Sequence, residues 1–201
     1  MKISAALVVR NEETALPACL ESLQPLADEI VVVDTGSEDQ TMAIARQHGC
    51  TVHSFEWQDD FALARNFSLD KATGDYILVA DADHRVVNPM EARSLLERFA
   101  ETHSPNTLGL VAILSGVREG DQTREEVSMS PKFFPRGRFT YEGAIHEQLV
   151  PIEGEARQAS IGIQYLHSGY EDRDSLLTRI DRNRRILLRE LAKRMVEGTA
   201  P

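Results

Sequence analysis

Strands and helices alternate four times in the first eighty residues, and that rhythm predicts an α/β fold: a doubly wound, mostly parallel sheet with helices on both faces. Three observations carry this expectation. Ile3 to Val9, Glu29 to Val33 and Tyr76 to Ala80 are apolar runs of strand length, the pattern of strands covered on both sides, and Cys50 to Phe55 reads as a further strand among them. The segments between them place apolar residues at helical spacing, and Pro25, Gly49 and Gly74 close those segments. The chain has 201 residues, 42% of them hydrophobic, which suffices for a single core burying about 70% of the unfolded surface.

Taken in order, the first strand ends at Val9, and Asn11 to Thr14 opens a helix whose apolar positions are Leu16, Cys19, Leu20 and Leu23. Pro17 is tolerated because it falls in the first turn. The second strand runs into Asp34-Thr35-Gly36-Ser37, a turn, and Gln40 to Gln47 is helical. After the third strand, Asp59 or Asp60 caps a helix through Phe61, Ala64, Phe67, Ser68 and Ala72. The fourth strand ends at Ala80. Beyond Asp83 the rhythm loosens: a helix starts at Asn88-Pro89, Leu108 to Leu114 is a strand, and Gly116 to Thr123 reads as a hairpin tip. The segment onward to Leu149 mixes aromatics with Pro and Gly, predicting β-structure folded over the sheet edge. Gln158 to His167 is a strand, and Asp174 to Val196 a long helix.

Composition removes several classes of function. Twenty-two Lys and Arg against 32 Asp and Glu give a net charge of −10, which argues against binding nucleic acid through bulk electrostatics. Cys19 and Cys50 lack metal-ligand spacing and read as small buried thiols in a reducing compartment. The apolar run at Met1 to Val9 is too short for a signal segment or a membrane span, so the expected location is the cytosol.

Chemistry concentrates where strands end. Tyr76-Ile77-Leu78-Val79-Ala80-Asp81-Ala82-Asp83-His84 delivers two carboxylates, two positions apart, to the end of an apolar strand. Such carboxylates repel one another unless a cation sits beside them, and Mg²⁺ or Mn²⁺ is typically held by one or two carboxylates with phosphate oxygens. A solvated acidic turn or helix cap is the alternative for the same residues. Asp34 also ends a strand, where its carboxylate either accepts from a ribose hydroxyl or base N–H or closes a turn onto its own backbone. Arg10, Asn11 and Glu12 leave the first strand beside it. Arg65 and Asn66 follow Asp60 by about one helical turn; they are surface residues, or a charge partner and an amide donor for a bound diphosphate.

Together these stretches resemble family 2 glycosyltransferases of the GT-A fold. The resemblance rests on Leu7-Val8-Val9-Arg10-Asn11-Glu12-Glu13, Glu29-Ile30-Val31-Val32-Val33-Asp34-Thr35-Gly36-Ser37, Phe61-Ala62-Leu63-Ala64-Arg65-Asn66 and the Asp81/Asp83 pair, four motifs in order over residues 1 to about 100. Phe139 to Leu149, followed by His167-Ser168-Gly169-Tyr170, looks like a bacterial subgroup that includes lipopolysaccharide-core glucosyltransferases and sugar transferases fused to helical repeats.

The resemblance implies roles position by position. Val9 and Asp34 would hold the nucleoside, Arg10 and Glu12 line the same pocket, and Arg65 and Asn66 face the ribose-diphosphate region. Asp81 and Asp83 would form the metal motif, with Asp83 the direct ligand to Mn²⁺ or Mg²⁺ and His167 completing the metal or diphosphate shell. Members normally invert at the anomeric carbon with an acidic base, and Glu147 of Ile145-His146-Glu147 is the match. The family's commoner pattern is an Asp in an acidic pair, whereas the neighbour here is His146; a surface glutamate is the other reading of Glu147. The implied activity is hexosyl transfer from a nucleotide sugar, UDP being the commonest carrier, to a glycan, lipopolysaccharide-core or lipid-linked hydroxyl. Two rivals remain: a binding module without turnover, and a nucleotidyltransferase, which should carry a Gly-rich loop where Arg10-Asn11-Glu12-Glu13 has no glycine.

The implied organisation is a GT-A domain over residues 1–170, with a nucleotide-binding half at 1–100 and an acceptor half at 101–170, then a helical extension at 171–201. Glu171 to Arg194 holds eight Lys or Arg against five Asp or Glu. That basic helix is a solvated face, or it meets an anionic acceptor or the inner membrane surface as a peripheral contact. The end at Gly198-Thr199-Ala200-Pro201 has no capping element, as expected of a piece of a longer protein.

Overall fold

The computed structural model describes residues 1–119, 122–167 and 173–197. Its first half follows the predicted rhythm: β1 (Ile3–Val9), α1 (Leu16–Leu23), β2 (Glu29–Asp34), α2 (Thr41–Gln47), β3 (Thr51–Ser54), α3 (Phe61–Lys71) and β4 (Tyr76–Ala80). A short β5 (His84–Val86) and α4 (Pro89–Thr102) precede the long strands β6 (Thr107–Glu119) and β7 (Gln122–Pro135). The hairpin β8 (Phe139–Glu142) and β9 (Gln148–Pro151), then β10 (Arg157–His167) and α5 (Arg173–Glu197), complete it. Helix α1 starts later than Asn11 because the loop before it is tied elsewhere: the backbone N–H groups of Asn11, Glu12 and Glu13 donate to Ser37, Thr41 and Asp39. The residues of the predicted hairpin tip at 120–121, the 168–170 part of the last motif and the uncapped end at 198–201 lie outside the described residues.

Eight strands form one sheet in the order β3-β2-β1-β4-β7-β6-β10-β5. The β3-β2-β1-β4 half is parallel, whereas β7 runs antiparallel to both β4 and β6. The expectation that the chain beyond Gly116 folds over the sheet edge is therefore corrected for β7. It is inserted at the middle of the sheet, where it covers the bare edge that β4 would otherwise present. Alternation along each strand sends side chains to two cores. Ile3, Ala5, Leu7, Val32, Leu78 and Ala80 pack with Leu16, Leu20 and Leu23 of α1 and Leu96 and Phe99 of α4. Ala6, Val31, Val33, Ile77 and Val79 pack on the opposite face with Phe67 and Leu69 of α3 and with Phe139.

The sheet is curled, and connectivity requires it. Three strands, β7, β6 and β10, stand between β4 and β5 in the sheet order, although only Asp81, Ala82 and Asp83 join them along the chain. Four flat interstrand steps would span about 19 Å, and so short a link reaches at most about 14 Å. The half of the sheet beyond β4 bends round until its last strand, β5, meets the end of β4 at these three residues. There β5 pairs antiparallel with β10, His84 opposite His167.

Candidate functional site

Turns at the carboxyl ends of β1, β2 and β4, with α3 and α5, surround a cleft of about 370 Å³ lined by Val8, Val9, Arg10, Glu12, Thr35, Trp57, Phe61, Arg65, Asp81, Ala82, Asp83, His84 and Arg182. The β1 and β2 turns are stitched together. Thr35 donates its N–H and its hydroxyl to the Val9 carbonyl, at 3.0 and 3.1 Å, and the Asn11 side chain accepts from the Glu38 N–H. Val9, Arg10 and Glu12 are thereby fixed along one wall.

Asp34 is only 3% exposed, and its two oxygens lead different lives. Oδ2 accepts from the N–H groups of Gly36 and Ser37, both at 3.0 Å, which is the turn-closing role. Gly36 allows the backbone to turn there at φ +106°. Oδ1 is buried with no partner among the described residues. An orphaned carboxylate oxygen is costly, so its presence argues for a donor supplied from outside the chain.

Arg65 holds two acids at once. Its Nη2 donates to Asp81 Oδ1 at 2.8 Å and its Nε to Glu147 Oε1 at 2.7 Å. Lys132, 6% exposed on β7, donates to Asp81 Oδ2 at 2.7 Å. It lies one residue beyond the Leu78–Phe133 pair, on the side toward the end of β4. Burial works to raise the Asp81 carboxyl, but Lys132 and then Arg65 override it and hold the group well below the ordinary carboxylate range. Burial likewise works against the charge of Arg65, and Asp81 outweighs it. The four side chains form one buried, charge-compensated network.

Glu147 reaches this network from the connection between β8 and β9, where Gly143 has φ +97° and His146 φ +54°. Helix α3, capped by Asp60 accepting from the Leu63 N–H at 3.0 Å, fixes that connection three times. The Phe61 N–H donates to the Ala144 carbonyl at 2.9 Å, Arg65 pairs with Glu147, and Asn66 forms a two-way bond with the backbone of Tyr141. The Asn66 amide is thus occupied with β8 and does not line the cleft.

Asp83 leaves the β4 end on the other side. Its Oδ2 is 2.9 Å from His167 Nε2, and its Oδ1 is 3.8 Å from His84 Nε2. The donor atoms of Asp83, His84 and His167 all fall within 4.8 Å of one another, a set able to hold a cation. Burial pushes the His84 imidazole below its ordinary value, although Asp81 opposes this, so the neutral ring is favoured.

Five contributors were not assigned from sequence. His84 stands in the quoted Asp81–His84 stretch without a role, and Lys132 could have been noticed as a lone charge beside Phe133 and Phe134. Trp57 and Phe61 line the cleft, and Arg182, from the basic helix, stacks over the Phe61 ring at 4.8 Å. Helix α5 is held there by Asp59, which accepts from Arg185 at 2.8 Å and also pairs with Arg189. Both cysteines are buried thiols; burial raises each, Cys50 to about 11. Among the described residues, no helix is long and apolar enough to cross a membrane.

Comparison with known proteins agrees with this architecture. The sequence model of "Glycosyl transferase family 2" matches residues 4–149. A TPR repeat-containing protein of Synechococcus elongatus is 33% identical over 154 residues, covering 76% of this chain and 37% of that protein. The lipopolysaccharide core biosynthesis glycosyltransferase LpsC of Rhizobium meliloti is 27% identical over 81% of this chain and 62% of its own. The chain therefore spans only part of the length of these relatives. Among solved structures, S. aureus TarS residues 1–349 superpose with a TM-score of 0.53 at 26% identity, covering 68% of this chain and 47% of that one. The same protein in complex with UDP-GlcNAc reaches 0.61 over 86% of this chain and 60% of its own at 21% identity, a likeness of fold.

Proposed function

Because the chain belongs to glycosyl transferase family 2, we propose that it is an inverting glycosyltransferase moving a hexose from a UDP-sugar to a hydroxyl of a glycan or lipid-linked acceptor. The observation that carries this reading is the division of the cleft. An orphaned Asp34 oxygen is buried at the end of β2, next to Thr35 of the cleft wall, and a carboxylate with an imidazole sits at the end of β4. The first suits a nucleoside N–H or hydroxyl. The second suits a divalent cation bound to a diphosphate, and the donor pair of Asp83 and His167 fits Mn²⁺ or a similar ion.

When bound, such a cation neutralises charge on the departing diphosphate. The chain's own residues do the rest. Asp34 Oδ1 and the Val9 wall orient the nucleoside, and Arg10, Arg65 and Arg182 present guanidinium groups to the cleft. Trp57 and Phe61 supply an apolar wall that excludes water. Glu147, held by Arg65 through Oε1, takes the proton of the acceptor hydroxyl. The acceptor oxygen forms its bond to the anomeric carbon as the bond to the diphosphate oxygen breaks, and the electron pair leaves with the diphosphate. Holding both partners in line accounts for much of the acceleration. LpsC is named as a lipopolysaccharide core enzyme, which supports a glycan acceptor for this chain.

The test is nucleoside diphosphate release from UDP-, GDP- and dTDP-sugars, with and without Mn²⁺. UDP release that requires the metal is expected. Binding of none of the three donors, with the protein folded, would overturn the proposal.

A further inference from the structure

We infer that His84 is a third protein ligand of the metal proposed above, so that the site is a transition-metal centre assembled before the nucleotide arrives. The inference deepens the donor-site reading and starts from what the network leaves over. Asp81 has one oxygen on Arg65 and the other on Lys132, at 2.8 and 2.7 Å, both cations being largely buried. Turning that carboxylate toward a metal would strand the buried Lys132 and leave Arg65 with Glu147 alone, a heavy cost. The first carboxylate of the pair is therefore already committed within the protein.

Three donors remain. Asp83 and His167 are separated by 2.9 Å, close to the edge of an octahedron with bonds of about 2.1 Å, which is about 3.0 Å. His84 Nε2, at 3.8 Å from Asp83 Oδ1, approaches from the adjoining position, and the donor atoms of all three residues lie within 4.8 Å of one another. The ring is restricted to that neighbourhood: it is 8% exposed, with centroids 5.4 Å from His167 and 5.8 Å from Tyr165.

The other nitrogen gives a second, independent sign. His84 Nδ1 is buried without a hydrogen-bond partner, yet lies 3.3 Å from Asp81 Oδ2. An imidazole with one nitrogen facing a carboxylate and the other facing a cation is the arrangement by which proteins fix metal-bound histidines. Asp81 then contributes to the metal centre through His84, without touching the ion.

One carboxylate and two imidazoles grouped on one side, with the cleft on the other, select Mn²⁺, Fe²⁺ or Co²⁺ over Mg²⁺, which prefers oxygen. The open side is the side from which diphosphate oxygens enter, since Asp83 and His84 line the cleft.

The experiment is electron paramagnetic resonance of the nucleotide-free protein titrated with Mn²⁺, with spin-echo detection of nitrogen couplings. The expected result is one retained Mn²⁺ coupled to two imidazole nitrogens and not displaced by a large excess of Mg²⁺. His84→Gln should leave one coupling and bind Mn²⁺ at least tenfold more weakly. A single nitrogen in the wild type, unchanged affinity in His84→Gln, or Mn²⁺ held only when UDP is present would each overturn the inference. The wild-type nitrogen count stands even if the variant folds poorly. Uridine binding after metal removal is measured alongside, and its loss would count against the donor reading and not against His84.

Discussion

Replacing Lys132 by Met removes one ammonium group from the buried network while keeping the length of the side chain. Asp81 Oδ2 then loses its 2.7 Å partner, and Arg65 alone remains to balance both Asp81 and Glu147. Removing one member of a fully buried ion pair costs about 3–5 kcal/mol. Asp81 is 29% exposed and keeps Arg65, so water and the remaining guanidinium reduce the loss to about 2 kcal/mol. For a domain of this size that corresponds to a fall in Tm of about 4–8 °C. The assay is a double-mutant cycle with Asp81→Asn, by urea denaturation in the presence of a chelator at pH 7. Because the Asp81 carboxyl is lowered in the folded state, its contribution is complete above the ordinary carboxylate range and is lost only in acid, so pH 7 reads it in full. The two substitutions should be coupled by about 1.5–3 kcal/mol. Additive effects, or a Lys132→Met protein as stable as the wild type, would refute the view that Lys132 exists to compensate Asp81.

Three further outcomes follow from the geometry. Asp34→Ala should weaken uridine and UDP alike by about 1.5–3 kcal/mol, read by calorimetry, because the contact proposed for the orphaned Oδ1 is to the nucleoside and not to the phosphates; an effect on UDP alone would move Asp34 out of that pocket. Glu147→Gln should lower turnover by about 10²- to 10⁴-fold with the donor Kd nearly unchanged, since a base meets the acceptor; wild-type turnover would eliminate it. The Asp59 carboxyl is lowered, first by the hydrogen bond from Arg185, so its hold on α5 is full above the ordinary range of about 3.9 and weakens as pH falls through the lower folded value. Trp57, whose ring N–H donates to Asp59 at 2.9 Å, should report this as an emission change below about pH 4 that Asp59→Asn abolishes; a signal unaltered by that substitution would remove Asp59 as its source.

The parallel half of the fold was legible because β1, β2 and β4 are apolar runs and each helix has its own punctuation. Tyr76–Ala80 is a strand over the residues the pattern predicts, and Asp60 caps α3. The insertion of β7 was not legible, because which edge a strand covers is settled by the partners available in space. Asp34 shows the same division within one side chain: its neighbours announced the turn taken by Oδ2, and only three dimensions disclose the unpartnered Oδ1. Arg65 and Asn66 drew attention through their place in a motif, but their partners Glu147 and Tyr141 lie 82 and 75 residues away. Lys132 sits 51 residues from Asp81, where no local periodicity connects them.

The curl that brings Asp83 against His167 also sets a timetable. These two side chains are 84 residues apart in sequence, and a growing chain folds from its amino end as it is made. A nascent chain that has emerged as far as α4 already holds Asp34, Arg65, Asp81, Asp83 and His84, but neither Lys132 to balance Asp81 nor Glu147 nor His167. It carries an acidic turn without its counterweights. Only when β10 closes on β5 does the acidic end of β4 acquire its last imidazole, so the donor set proposed to hold the metal comes together only as the sheet is completed.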